Sequence, residues 1–334
     1  MANGIKIGEV DADSAIVWTR LTQKLERNIN GHAFVIPEGL KPKKFKAIDQ
    51  PAYSDLSIMQ GSVTGSEGEV RLTYWPSNNE ANRQTTSWQS VYSDNDYIHQ
   101  IRLSGLQSAT RYLVLVEGRK GDASCTLEGG FKTAPAKDSA SDIRFVVTTC
   151  GDYPRRDDSM NGHKIYPVMQ ALAPDFFVHT GDTEYYDKPF PYAINLELAR
   201  FKWNRIYSMP YLRNFHNQIS SYFIKDDHDT TCNDAWPGVN YFDLTWEQGL
   251  ATFREQVPMG EKTYRTIRWG KDLQVWLVEG RDFRSPNNTP DGPEKTIWGA
   301  EQKQWFYDTV RNSDATFKVL LSPTPIVGPD RSQK

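Results

Sequence analysis

Three short stretches carry the residues best suited to metal chemistry: Cys150-Gly151-Asp152, His179-Thr180-Gly181-Asp182-Thr183-Glu184-Tyr185, and Asp226-Asp227-His228-Asp229. Each follows a short apolar run rich in β-branched and aromatic residues, namely Ile143 to Thr149, Phe176 to Val178 and Tyr222 to Ile224. Such runs read as buried strands. Open parallel sheets gather ligands at the carboxyl ends of their strands, so the three stretches are expected to converge on one crevice. Carboxylates and a thiolate massed in one place repel one another and resist desolvation, and cations are the simplest counterweight. Asp and Gly also mark turns after strands, which explains any one stretch but explains three in succession poorly.

The order of these motifs resembles a known family. Gly181-Asp182 followed by Asp227-His228-Asp229, in place of the more usual Gly-Asn-His-Asp/Glu, is similar to the binuclear metallophosphoesterase superfamily. Within it, four features resemble the PhoD-type alkaline phosphatases: Cys150 after the first strand, Tyr185 three residues beyond Asp182, the Asp226-Asp-His-Asp block, and Arg281-x-x-Arg284. The resemblance implies a metal-dependent phosphoric ester hydrolase acting on mono- or diesters. It also implies an αββα metallophosphoesterase sandwich, with Asp182 as the ligand shared between two ions and Asp227, where relatives carry Asn, on the second.

Cys150, Asp152 and Tyr185 would hold the more Lewis-acidic ion; whether Cys150, Asp152 or both bind is open, because many metallophosphoesterases begin with Asp-x-His instead. Thiolate and phenolate donors favour ferric iron over zinc. The resemblance likewise implies Fe3+ with Ca2+ at a neighbouring oxygen-rich position, Zn2+ or Mn2+ being the alternatives. His228 would steady charge on the phosphate or protonate the leaving oxygen. Arg281 and Arg284 follow a strand end, and their guanidinium forks match phosphate oxygens. Two other readings compete: a phosphodiesterase or phospholipase D-like enzyme on lipids or cell-wall polymers, and an inactive phosphoesterase-like binding protein. The ligand residues that are present speak against the second.

The elements that must position these residues fall into two groups. Residues 1–134 alternate short strands with turn signals, at Ile5 to Val10, Ala15 to Arg20, Glu69 to Trp75, Tyr97 to Leu103, Arg111 to Glu117 and Thr126 to Lys132, which predicts a β-sandwich. Trp18 resembles the core Trp of fibronectin type III-like domains, and Leu106-x-x-x-Thr110-x-Tyr112 their tyrosine corner. Ile36 to Gly68 and Asn78 to Ser87 read as polar loops. Residues 135–142 read as a linker.

From 143 to 334 strands alternate with helical patterns, which predicts a parallel-rich sheet covered by helices and makes the chain a multidomain β and α/β protein. Ile165, Val168, Met169 and Leu172 share one helical face. Tyr192 to Ser208, Trp246 to Gln256 and Gly299 to Asn312 are the other helical patterns, and Leu273 to Glu279 and Phe317 to Leu321 are strands.

A net charge of −3 gives no electrostatic case for nucleic acid. No apolar run approaches the roughly 20 residues that span a bilayer, and the N-terminus lacks a signal-peptide pattern. Export to a secreted or periplasmic location is implied by the resemblance alone. The three cysteines form no disulfide framework. No histidine follows His228, whereas the family completes its site from a later block with a Gly-Asp-x-His-type pattern. The expectation is therefore that the C-terminal part of the domain is missing from this chain and is supplied as a separate polypeptide after a nick at Lys334.

Overall fold

The computed structural model describes residues 1–326; Lys334, the expected cleavage point, lies outside them. The first half of the chain supplies β1 (Ile5–Gly8), β2 (Ala15–Arg20), β3 (Gly68–Pro76), β4 (Gln84–Thr85), β5 (Gln89–Val91), β6 (Ile98–Leu103), β7 (Arg111–Lys120) and β8 (Ala123–Lys132). The strands predicted from alternation are all present, and β4 falls within the polar stretch expected as a loop. β3, β4, β5, β7 and β8 form one antiparallel sheet. Val70 and Leu72 of β3 and Val114 and Val116 of β7 point inward from it to meet Ile5, Ile7, Ala15 and Val17. The tyrosine corner is formed, with the Gln107 amide donating to the Tyr112 hydroxyl at 2.9 Å.

The facing sheet does not stop at the first half. Its order is β6-β2-β1-β11-β10-β9, where β9 is Phe145–Thr148, β10 Phe176–His179 and β11 Ser220–Phe223. β1 lies antiparallel to β2 and parallel to β11, so a strand from the chain's start joins both halves in one six-stranded sheet. Its two faces are both covered, which is why β1 and β2 are buried at every position. Alternation sorts the side chains: Phe176, Val178 and Tyr222 face one core, whereas Phe177 and Phe223 face the other.

Helices cover the second face: α1 (Ile165–Ala171), α2 (Leu196–Tyr207), α3 (Pro210–His216) and α4 (Trp246–Gln256). Against the first face stands a smaller sheet of β12 (Arg265–Trp269), β13 (Leu273–Leu277) and β14 (Phe317–Leu321), with Trp269 and Val275 in the shared core. α5 (Gly299–Arg311) closes that sheet, Trp276 donating to the Thr309 hydroxyl at 2.8 Å. The layers therefore run helix, sheet, sheet, helix.

Several sequence expectations need correction. Trp18 does not point into the β-sandwich: Ala15 and Val17 occupy that face, and Trp18 turns to the helices, donating to the Glu255 carbonyl at 2.8 Å. On α1 the packed residues are Tyr166 and Met169, while Ile165, Val168 and Leu172 stay about half exposed. The helical period is legible, but Tyr166 packing on Phe177 and Phe215 chooses the face. Pro210 lies beyond the end of α2 and opens α3 at its first turn, where a missing N–H costs nothing, so two helices follow one another where the sequence pattern shows one. Strand β12 is absent from the sequence reading, its pattern interrupted by Arg265 and Arg268.

The two halves are tied by buried polar groups as well as by the sheet. Asp96, between β5 and β6, accepts from Arg20 of β2, Asn204 of α2 and Gln256 of α4, at 2.7, 2.7 and 2.9 Å. Lys6 of β1 is fully buried without a hydrogen-bond partner among the described residues, and its ammonium lies 3.4 Å from the Trp18 ring centroid and 3.8 Å from that of Tyr207.

Candidate metal and phosphate site

The loops after β9, β10 and β11 meet as expected from the strand ends. After β9 and β10 the backbones continue side by side, with the amides of Cys150, Gly151 and Asp152 donating to the carbonyls of Gly181, Asp182 and Thr183 at 3.1, 2.7 and 3.1 Å. Both loops leave ordinary backbone geometry to do this: Cys150, Asp152 and Asp182 have φ of 59°, 61° and 57°. Such values in non-glycine residues cost energy and concentrate at functional sites. Gly151 sits between, where a Cβ would come within 2.5 Å of the Thr183 carbonyl oxygen. Buried His179, its pKa pulled down to about 3 chiefly by burial, shapes the same turn, bonding the Gly181 amide and the Thr183 hydroxyl. Asp229 fastens the third loop to the second by accepting from the amides of Thr183 and Asp226 at 3.1 and 2.7 Å.

The side chains converge on Asp182. Its Oδ2 receives the Tyr185 hydroxyl at 3.0 Å and lies 3.6 Å from the Cys150 sulfur, and its Oδ1 is buried without a partner among the described residues. On the other flank, ligand atoms of Asp182, Asp227 and His228 lie within 4.8 Å of one another. Asp182 is thus common to two groups of potential ligands. Asp152 stands slightly apart: its carboxylate meets Arg155 at 3.4 Å, leaves Oδ1 buried and unpartnered among the described residues, and makes no hydrogen bond to Cys150, Asp182 or Tyr185.

The electrostatics hold these groups toward their protonated forms. Burial pushes up the pKa of Asp182, and Asp227 adds to this while His228 opposes it. Burial likewise raises Cys150 and Tyr185. Burial, with the charges of Asp227 and Asp182, pushes Asp226 up to about 7 despite the arginine beside it. The protein alone therefore disfavours the anionic forms of the groups it has assembled, and a positive ion among them reverses that.

The two arginines are placed differently from each other. Arg281, expected on the substrate, is buried: its Nε donates to Asp226 at 2.5 Å and its Nη2 lies 3.5 Å from Asp227. It holds the acidic pair, and in this structure its Nε and Nη2 face those carboxylates. Arg284 bonds only Asn287 through its side chain, leaving Nη1 without a partner among the described residues.

The supports of the site are not visible in the sequence. Asp187 accepts from His228 Nδ1 at 2.6 Å and from the Asn233 amide at 3.0 Å. Burial on its own lowers the His228 pKa, but the hydrogen bond and charge of Asp187, with Asp227 and Asp182, more than offset it and the net shift is upward. The Tyr185 ring lies against the imidazole, centroids 4.4 Å apart. Lys202, fully buried on α2, donates to the carbonyls of Tyr185, Pro191 and Lys188 at 2.5, 3.2 and 3.4 Å and thereby holds the loop carrying Tyr185 and Asp187. None of these has a periodic or motif signal; an Asp two residues past Tyr185 is the only hint.

Comparison with known proteins bears on the fold and the family. A structure of PhoD superposes with a TM-score of 0.70 at 18% identity, covering 96% of this chain and 61% of that one. The purple acid phosphatase PPD1 of yellow lupin (Lupinus luteus) seeds gives 0.60 at 13% identity, covering 95% and 50%. At such identities the likeness is one of fold. The chain spans about three fifths of the PhoD chain it matches. No curated protein matches it. The model of the PhoD-like phosphatase family matches residues 145–334, from β9 through every loop of the site, and the chain belongs to that family.

Proposed function

We propose that the protein is a metal-dependent phosphoric ester hydrolase whose centre is built around Asp182. The observation that carries this reading is the double convergence on one carboxylate, Cys150 and Tyr185 on one flank, Asp227 and His228 on the other. The unpartnered oxygen of Asp182 and the raised pKa values of the acidic groups support cation binding. Cys150, Tyr185 and Asp182 would hold the first ion, the thiolate and phenolate suiting Fe3+. Asp152 would join them by turning from Arg155. Asp182 and Asp227 would hold the second, an oxygen-rich set suited to Ca2+. Bound metal supplies an acidified water and neutralises phosphate oxygens.

The protein's own groups do the rest. His228, oriented by Asp187 and packed on Tyr185, holds a proton where the leaving alkoxide needs one. Arg284 offers its free Nη1 to a phosphate oxygen. Arg281 positions Asp226 and Asp227. Residues 1–134 as a fibronectin type III-like sandwich, 143–334 as the catalytic unit, and a secreted or periplasmic location belong to the same proposal; the tyrosine corner supports the first. No described helix is long and apolar enough to cross a membrane.

The test is release of 4-nitrophenol from 4-nitrophenyl phosphate and from bis(4-nitrophenyl) phosphate. It is run on protein loaded with Fe3+ and Ca2+, after chelation, and after metal is restored. Turnover lost on chelation and regained with metal supports the reading, and the ratio of the two rates gives the mono- or diester preference. Turnover that persists through complete chelation refutes it.

A further inference from the structure

Arginines surround the site, and their surroundings separate them. Arg281 is buried against Asp226 and Asp227. Arg205 is fully buried, its guanidinium over the Tyr153 ring. Arg156 covers the other ring contact of Tyr153 and donates to the carbonyls of Ser159 and Tyr153. Arg155 is different. Its side chain keeps 68% of its surface, meets the Asp152 carboxylate at 3.4 Å, and sits 5.8 Å from the Tyr185 ring centroid. It is thus an exposed cation over one candidate ligand and beside another, at the mouth of the site.

The backbone fixes this position. Arg155 ends a single turn, Tyr153–Arg155, whose preceding residue is Asp152 with its positive φ, and the Arg155 amide donates to the Asp152 carbonyl at 3.0 Å. Tyr153 is buried beneath it. The turn is therefore held by the same strained loop that carries Cys150, and Arg155 follows the site whatever its own side chain does. Asp152 is buried, but the guanidinium that meets it faces solvent and stands 3.4 Å away, so water screens the contact and Arg155 is free to change partner. Once Asp152 faces a metal ion, its hold on Arg155 weakens further.

His228, which would protonate the leaving alkoxide, packs on the Tyr185 ring with centroids 4.4 Å apart. Arg155 reaches the same ring, 5.8 Å from its centroid, so the alcohol portion of an ester bound beside His228 would come within reach of the guanidinium. We infer that Arg155 is a specificity residue that binds a second anionic group, a carboxylate or phosphate, carried by the alcohol next to the scissile phosphate. The inference rests on the hydrolase reading above and adds a substrate class to it.

Two alkyl monoesters of matched size test it: glycerol 3-phosphate, and 3-phosphoglycerate, which has a carboxylate on the same three-carbon frame. Phosphate release is followed with the metal-loaded wild type, Arg155→Ala and Arg155→Lys. The wild type is expected to favour 3-phosphoglycerate in kcat/KM by about three- to tenfold, the effect of one charge pair at a solvent-facing rim. Arg155→Ala should abolish the preference through KM with kcat nearly unchanged, Arg155→Lys should restore part of it, and rising salt should erase it in the wild type. Because the side chain is largely exposed, folding is not at risk. An unchanged ratio in Arg155→Ala, or an equal loss on both esters, overturns the inference and leaves the hydrolase reading standing. No turnover of either alkyl ester by a wild type that hydrolyses 4-nitrophenyl phosphate or its bis ester overturns the inference alone, and no turnover of any of the four esters overturns both.

Discussion

Replacing Asp187 with Asn keeps the shape of the side chain and removes the charge that faces His228. The hydrogen bond between the two is short, 2.6 Å, and both side chains are nearly buried, at 10% and 13% exposure. A hydrogen bond to a charged group contributes about 1.5–3 kcal/mol. If that contribution is made to an imidazolium poised over the leaving oxygen, the rate falls roughly 10- to 150-fold. Asn can still accept from Nδ1, so ring orientation survives while stabilisation of the protonated form does not. The assay compares an alkyl phosphate, whose alkoxide needs a proton, with 4-nitrophenyl phosphate, whose phenolate leaves without one. The full loss is expected on the alkyl ester and a few-fold loss on the other. In a His228→Ala background the Asp187→Asn change should cost little, because the partner it acts through is gone. Equal losses on the two esters, or losses that multiply independently in the double variant, would refute the role given to this pair.

Further outcomes rest on the same geometry. His228→Ala should retain the wild-type metal content by elemental analysis and lose rate by roughly 10²- to 10⁴-fold; a matching loss of metal would make it a ligand, as its closeness to Asp182 and Asp227 allows. Lys6→Met should stabilise the protein at neutral pH by about 1–3 kcal/mol in chemical denaturation, less whatever the flanking rings contribute to the ammonium. The sign comes from burial, which holds the folded Lys6 pKa well below its ordinary 10.5. Between the two values the unfolded chain keeps a proton the folded one has shed, so wild-type stability rises with pH and the advantage of Met should vanish above 10.5. Asp96→Ala leaves Arg20, Asn204 and Gln256 without their common acceptor and should destabilise by about 3–5 kcal/mol in thermal or denaturant unfolding.

Much of this architecture is readable because strands announce themselves by period and strand ends by the residues that follow. The three loops meet because parallel strands put their carboxyl ends on one side, a consequence of topology and not of any single motif. What the sequence hides lies in choices made by packing. Helix α1 has two apolar stripes, and nothing in its spacing tells that Tyr166 rather than Val168 faces inward. Trp18 has the neighbours of a sandwich-core residue, yet β1 pairs with β11 and brings helices to that face. Arg281 and Arg284 are alike in sequence, but only the fold shows that Asp226 captures the first. Asp187 and Lys202 act through loops, where neighbours in space are not regularly spaced in sequence.

The most direct test of the central claim is the metal content and visible spectrum of the chain, beside its Asp182→Ala and Tyr185→Phe variants. If Asp182 is shared between ions and Tyr185 is bound to ferric iron, the wild type holds iron and calcium and is coloured. Asp182→Ala then loses both metals, and Tyr185→Phe loses the charge-transfer band. A protein that binds no metal under these conditions, or an Asp182→Ala variant that keeps the full complement, would contradict the account.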